Sequence, residues 1–392
     1  MRIEPTTGQD YVHHGRDLRL DFLRGIVMLV VVCVHLEYVS LISMFMWERL
    51  GLVSSAEGFV SLSGVVLGIV YKKRLLKEGF RVAAIKLWKR AWQLYTVNIA
   101  VITSILLLQY IPAINIFSVT HWVSPAGATI YPLFPEAGSS WLTILKQALL
   151  LEIGPHQFQI IGLYTVLIAI APVVLYALSK QKTLWVILLS WSIYLINSWL
   201  QYRFTSARFE YGFPTLTWQL LFFNGMIIGF HHKRVFDYLC DSANKRLVYA
   251  AAVLLTGFML LALNNPEPVH WPWHTATYAN AVTYKVMYET WFSKSRLGIG
   301  RILNNIALYV TLFAFISRYW QYCYKVLGWL VIPIGQASLY VFIWHIYLVL
   351  LFSNMPLPAY NNIWINTCIH IASIALIWLM VKKRFLFSIV PR

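Results

Sequence analysis

Blocks of about twenty apolar residues, separated by short polar joints, recur along the chain. Each block has the length a helix needs to cross a ~30 Å hydrocarbon core. Ten qualify, near 22–45, 50–71, 92–111, 158–178, 183–201, 216–231, 246–264, 301–320, 327–352 and 363–381. The sixth is short. GWLVIPIG at 328–335 predicts a bend at Pro333 and Gly335, because proline removes a helical donor and crowds the preceding turn. The expected fold is all-α, an integral membrane protein of about ten transmembrane helices. The first block follows a polar stretch and lacks a small-residue cleavage site, so it reads as a retained membrane helix.

Composition sharpens this picture. Of 392 residues, 59% are hydrophobic and 12% charged, and the mean hydropathy is +0.63. Soluble domains hold about 45–50% apolar and about 25% charged residues. The net charge of +17 is concentrated between apolar blocks, as topology determinants are. With no basic face on a soluble domain and no recognition motif, nucleic acid is set aside as a partner. The joint YKKRLLKEGFRVAAIKLWKR carries eight Lys or Arg; SKQK, HHKRVFDYLCDSANKR and the terminal KKRFLFSIVPR fall on the same side of the alternation. The positive-inside rule then puts both termini in the cytoplasm. The expected organisation is a cytoplasmic segment at 1–20, one membrane domain at 21–384 and a cytoplasmic tail at 385–392. Of the long opposite loops, 112–157 and 265–300, the second contains HWPWH and YETWF. Those aromatics suit either an interfacial belt or a surface for sugar rings. Segment 141–153 is too short to span and suits the interface. The four cysteines are scattered without CxxC spacing, so neither a disulfide framework nor a metal site is expected.

Polar residues interrupt the apolar blocks at particular places. In RLDFLRGIVMLVVVCVH, Arg24 and His35 are eleven residues apart, about 20° beyond three full turns, and Asp21 lies about 40° off the same line. An acid and a base near one end thus share a face with an imidazole roughly 16 Å further on. Charge inside a membrane usually faces protein or a water-filled cavity, although Asp21 and Arg24 also suit a headgroup anchor. The second block places Glu57 and Ser61 on one face, with Glu57 about 10 Å deep, so Glu57 is expected to reach His35 and raise its basicity. Ser61 and Ser63 are candidate oxyanion donors, or packing contacts. Lys86 and Arg90, at i and i+4, mark the inner surface or bind phosphates. In the ninth block Tyr340 and His345 are candidate pocket residues, although His345 reads first as a packing histidine hydrogen-bonded to a neighbour.

These stretches together resemble the acyltransferase 3 superfamily, most closely its OpgC-like branch. The matching segments are LDFLRGIVMLVVVCVH, AEGFVSLSGVVLGIVY, KLWKRAWQLY, GPHQFQIIGLYTVL, TWQLLFFNGMIIG, WFSKSRLGIGRILN and GQASLYVFIWHI. Lys86 departs from the superfamily's usual arginine, and Gln93 from its frequent proline. The resemblance implies a bacterial inner-membrane enzyme that moves an acyl group, succinyl first and acetyl as the alternative, from cytoplasmic acyl-CoA to hydroxyls of an extracytoplasmic glycan such as osmoregulated periplasmic glucan. It implies His35 as the catalytic histidine, Arg24 and Arg90 as cofactor-side cations, no permanently bound cofactor, and glucan-synthesis proteins as partners. A succinyl carboxylate would call for a cation near His35, for which Arg208, Arg301 and Lys294 are candidates. The rival reading is a transporter or flippase for a glycan or anionic metabolite, which predicts two related halves; no convincing match joins 20–180 to 200–380.

Overall fold

The computed structural model describes residues 11–13, 15–46, 48–123, 129–135, 138–265, 276–355 and 362–391. HWPWH at 270–274 lies outside them. Helices dominate. In order they are α1 (Leu18–His35), α2 (Ser55–Leu108), α3 (Phe117–Thr120), α4 (Trp141–Leu149), α5 (Gln159–Ser179), α6 (Thr183–Leu200), α7 (Thr215–Phe230), α8 (His232–Cys240) and α9 (Lys245–Ala262). They continue with α10 (Ala281–Trp291), α11 (Ile299–Arg318), α12 (Trp320–Cys323), α13 (Trp329–Gln336), α14 (Ser338–Ser353) and α15 (Ile363–Lys382). Two small antiparallel hairpins, Val12–His13 with Arg16–Asp17 and His121–Val123 with Ile130–Pro132, are the strands described.

Each of the ten expected blocks overlaps a helix, the first only as far as His35, where α1 ends. Among the described residues, however, six helices qualify as spans by length and apolarity, or seven if one bent pair counts as a single crossing. That pair corrects the expectation for 327–352: Trp320–Gln336 and Ser338–Ser353 meet at 90° around Ala337. α1 does not qualify by composition, since Arg19, Asp21 and Arg24 crowd its first half. α2 joins two expected blocks in one element and breaks at Gly79, where φ is +81° and ψ 168°. A positive φ costs glycine nothing and other residues a great deal.

Close backbone crossings hold the bundle. Gly64 and Gly68 of α2 rest on the Phe222 and Met226 carbonyls of α7, while Gly225 and Gly229 of α7 rest on the Ser61 and Val65 carbonyls. Both helices thus present a GxxxG pair to each other. Between apolar helices in lipid, such approach supplies the packing that hydrophobicity does not. The same device joins α1 to α13, where Gly25 lies on the Val331 carbonyl and Gly335 on that of Asp21.

Candidate active site

The α1–α13 crossing determines where the charges at the start of α1 go. With Gly335 pressed on Asp21, the break at Ala337 lies beside the next turn of α1. Gln336 Nε2 donates to Asp21 Oδ2 at 3.3 Å, and Arg24 Nη2 donates to Ser338 Oγ. Asp21 Oδ1 also stands 3.1 Å from Arg16 Nη2 and 3.9 Å from Arg24 Nη1. Asp21 and Arg24 therefore brace the joint of the broken helix. Arg24 keeps its buried Nε without a partner among the described residues, and Arg90 of α2 lies within its electrostatic reach.

At the other end of the same face, His35 meets His345 of α14. The rings stack with centroids 4.9 Å apart, and His35 Nδ1 is 2.9 Å from His345 Nε2. His345 Nδ1 is 2.5 Å from the Phe342 carbonyl. A carbonyl only accepts, so His345 carries its proton on Nδ1 and offers Nε2 as acceptor; His35 must then donate from Nδ1. The chain of bonds leaves the lone pair of His35 on Nε2. His156 stands edge-on to His35 at 6.4 Å between centroids, its Nε2 3.4 Å from Glu37 Oε1. Its buried Nδ1 has no hydrogen-bond partner among the described residues. Beside the histidines runs an aromatic layer in which Phe342 lies 5.3 Å from Phe59 and 5.5 Å from Phe158. Tyr164 donates to the Phe59 carbonyl at 2.7 Å.

The OpgC protein family matches residues 16–388. The chain belongs to this family. No curated protein and no solved structure gives a significant match. OpgC membership and the apolar helices make this a multi-pass membrane protein, and membership points to an acyltransferase role on periplasmic glucans.

Other expected site residues of this OpgC chain take different places. Glu57 is not the partner of His35. Its Oε2 accepts from the backbone N–H and the hydroxyl of Ser54, at 2.9 and 2.6 Å. Its Oε1 is 2.6 Å from Arg301 Nε. Ser54 and Glu57 form a capping box, a pattern legible in the sequence as S-x-x-E before an apolar run. Arg301 is fully buried and also binds Glu48 at 2.5 Å, the Phe292 carbonyl at 2.8 Å and the Tyr288 hydroxyl at 3.2 Å. It is thus committed to two carboxylates. Arg208 donates to the Pro132 carbonyl on the exposed surface.

Ser61 accepts from Asn305 of α11 at 3.0 Å, and Ser63 hydrogen-bonds with Tyr164. Tyr340 is turned away from the histidines, donating to the Phe385 carbonyl at 2.7 Å and packing edge-on to Phe387. It anchors the C-terminal tail. Lys86 pairs with Glu78 at 2.5 Å on the exposed stretch around Gly79, while Arg90 donates to Gln93 Oε1 at 2.6 Å. Among the described residues no group of three His, Cys, Asp or Glu side chains is arranged to hold a metal ion. His156, Tyr164 and the bracing role of Ser338 escaped sequence reasoning. GPHQF, rich in polar residues just before an apolar block, was the available signal for the first.

Proposed function

We propose that this protein is an acyl-CoA-dependent O-acyltransferase of the bacterial inner membrane, with both termini cytoplasmic. Its donor is succinyl-CoA rather than acetyl-CoA, and its acceptor a hydroxyl of an extracytoplasmic glycan such as periplasmic glucan. The observation that carries the reading is the single face of α1 that bears Arg24 near one end and an oriented imidazole at the other. Eleven residues of helix separate them, about 16 Å, a distance suited to a thioester tail whose phosphates remain at the basic end.

Arg24 and Arg90 receive the phosphates as charge-assisted donors, with Lys86 at the periphery. His35 Nε2 takes the proton of the acceptor hydroxyl as its oxygen attacks the thioester carbonyl. The new C–O bond forms, the C–S bond breaks, and the departing thiolate recovers the proton from the His35 imidazolium. His345 holds the tautomer that makes Nε2 the base. The acceptor approaches between His35 and His156, whose Nδ1 is free to bind a hydroxyl.

The test is mass spectrometry of glucan incubated with the purified chain in vesicles, with succinyl-CoA or acetyl-CoA on the inner side. A mass increment matching the donor supports the reading. No increment with either donor, together with glucan crossing the vesicle wall, establishes the transporter instead.

A further inference from the structure

Three cations, Arg208, Arg301 and Lys294, are candidates to meet the carboxylate of a succinyl group. Two are engaged elsewhere. Arg208 lies on the exposed surface against the Pro132 carbonyl. Arg301 is enclosed by Glu57, Glu48, Tyr288 and the Phe292 carbonyl. Lys294 remains, and of the three only its charge acts on His35.

Lys294 sits in the turn between α10 and α11. Its carbonyl accepts from the Leu297 N–H at 3.2 Å, and the Ser293 carbonyl from the Gly298 N–H at 3.0 Å. Tyr194 of α6 donates to the Leu297 carbonyl at 2.9 Å. The backbone of the turn is thus fixed, and the Lys294 side chain is half-buried. Its ammonium stands 5.2 Å from the centre of the Phe213 ring. Among the described residues it makes no hydrogen bond and no ion pair.

Two carboxylates, Glu57 and Glu48, do act on it. Both are turned to Arg301, and Ser54 holds Glu57 further, as Tyr288 holds Glu48. With Lys294 counted, two carboxylates face two cations, but Arg301 has the contacts and Lys294 only the attraction at a distance. Burial draws the Lys294 ammonium below its ordinary range, and the pull of Glu57 and Glu48 does not make up for it. A desolvated cation in this state gains from one more anion within hydrogen-bond distance.

There is room for one. Lys294 lines a cavity of ≈ 670 Å³ together with Val34, the residue before His35, and with the polar side chains of Ser54, Tyr288 and Asn305. None of the three histidines lines this space, so Lys294 is what links it to His35. A succinyl group carries its carboxylate about 4 Å from its thioester carbon, across two methylenes.

We propose that Lys294 is the specificity residue for the acyl group: its ammonium receives the free carboxylate of a dicarboxylic acyl donor while the thioester carbonyl lies at His35. The carboxylate gains a charge-assisted hydrogen bond, whereas an acetyl group leaves the ammonium as it stands. The inference rests on the acyl-transfer reading and adds to it the residue that tells succinyl from acetyl.

The test offers three donors to the purified full chain in vesicles: succinyl-CoA, its analogue with an amide in place of the terminal carboxylate, and acetyl-CoA. The unaltered protein should use succinyl-CoA at least about tenfold better than the amide in kcat/KM, the worth of a hydrogen bond to a charged group. Lys294→Met should erase most of that preference and lower succinyl transfer far more than acetyl transfer, and Lys294→Arg should keep the greater part of it. A preference that survives in Lys294→Met overturns the proposal, as does an equal loss for all three donors, the mark of a structural role. Should Lys294→Met fail to fold, the unaltered protein decides alone, and equal use of succinyl-CoA and its amide overturns the proposal. If the unaltered protein uses none of the donors, the acyl-transfer reading falls and this inference with it.

Discussion

Two buried polar clusters lie near each other at one end of the bundle, and they are built on opposite rules. Lys294 is within electrostatic reach of both His35 and Glu57. Around Arg301, Glu57, Glu48, Tyr288 and the Phe292 carbonyl together occupy four of the five guanidinium N–H groups. Around His35, the bonds run in one direction, from His35 to His345 to the Phe342 carbonyl, which leaves a lone pair at the head of the series, on His35 Nε2. His156 adds a second nitrogen, Nδ1, that has no hydrogen-bond partner among the described residues. A saturated cluster resists change and belongs to the frame. An unsaturated one, held as firmly on one side, is equipped to exchange a proton. Sequence alone made Glu57 and His35 a single unit; the structure divides them into frame and chemistry.

Exchanging the two clusters' expected phenotypes would break this contrast. The largest effect should come from His35→Ala. Loss of a general base typically costs ~10²–10⁴-fold in turnover, and the thermal midpoint in detergent should stay near that of the unaltered protein. Steady-state acyl transfer and a melting curve on the same preparation check both halves. Retained turnover in a folded variant rules out the assignment.

Glu57→Leu should show the reverse emphasis. It strands part of the Arg301 charge in a fully buried place and removes the capping box of α2. Breaking a buried pair in this way costs about 3–5 kcal/mol, so the melting midpoint should fall sharply. Replacing Glu57 and Arg301 together by apolar residues of similar volume should recover part of the loss, because the stranded charge goes with its partner. If Glu57→Leu melts normally and loses only turnover, Glu57 belongs to the chemistry after all.

An intermediate effect is expected at His345, and it sharpens the tautomer argument. Glutamine there can donate its amide N–H to the Phe342 carbonyl and accept the His35 Nδ1 proton on its oxygen. Leucine can do neither. His345→Leu should lose roughly ten- to a hundredfold in turnover, the cost of one misplaced buried hydrogen bond, and His345→Gln should lose clearly less. Equal losses would mean that shape, not proton placement, is what His345 supplies.

Periodicity made much of the fold legible. Blocks of twenty apolar residues mark the helices, and 100° per residue aligns Arg24 with His35 from the letters alone. What failed was the rotation of one helix against another. Glu57 lies at a depth compatible with His35, yet it faces Arg301, a residue 244 positions further along the chain. No local pattern encodes that separation. Local patterns did hold two overlooked answers: Ser54–Glu57 as a capping box, and the GxxxG pairs 64–68 and 225–229 that fix the α2–α7 crossing. The 90° break at Ala337 was harder to see. Pro333 and Gly335 suggested a bend, but its size follows from Gly335 lying on the Asp21 backbone, a tertiary contact.

The smallest effect is expected at Lys86, where the two rules meet a third case, a charge pair in solvent. Lys86 and Glu78 pair at 2.5 Å, but their side chains are 40% and 30% exposed. The Lys86 hydrogen bond lowers the Glu78 carboxyl below its ordinary range. Whatever the pair contributes is therefore present above the ordinary glutamate range and fades as pH falls through the lowered value. Water and salt screen such a pair, so it neither frames the bundle nor holds an open valence. Lys86→Ala should leave the melting midpoint unchanged and raise the donor KM by less than about fivefold. Arg24→Ala, which removes a buried cation from the His35 face, should raise it far more. A donor titration of the two variants at low and high salt separates the cases. A large Lys86 effect that vanishes in salt would move the phosphate site outward from α1 to the break of α2 at Gly79.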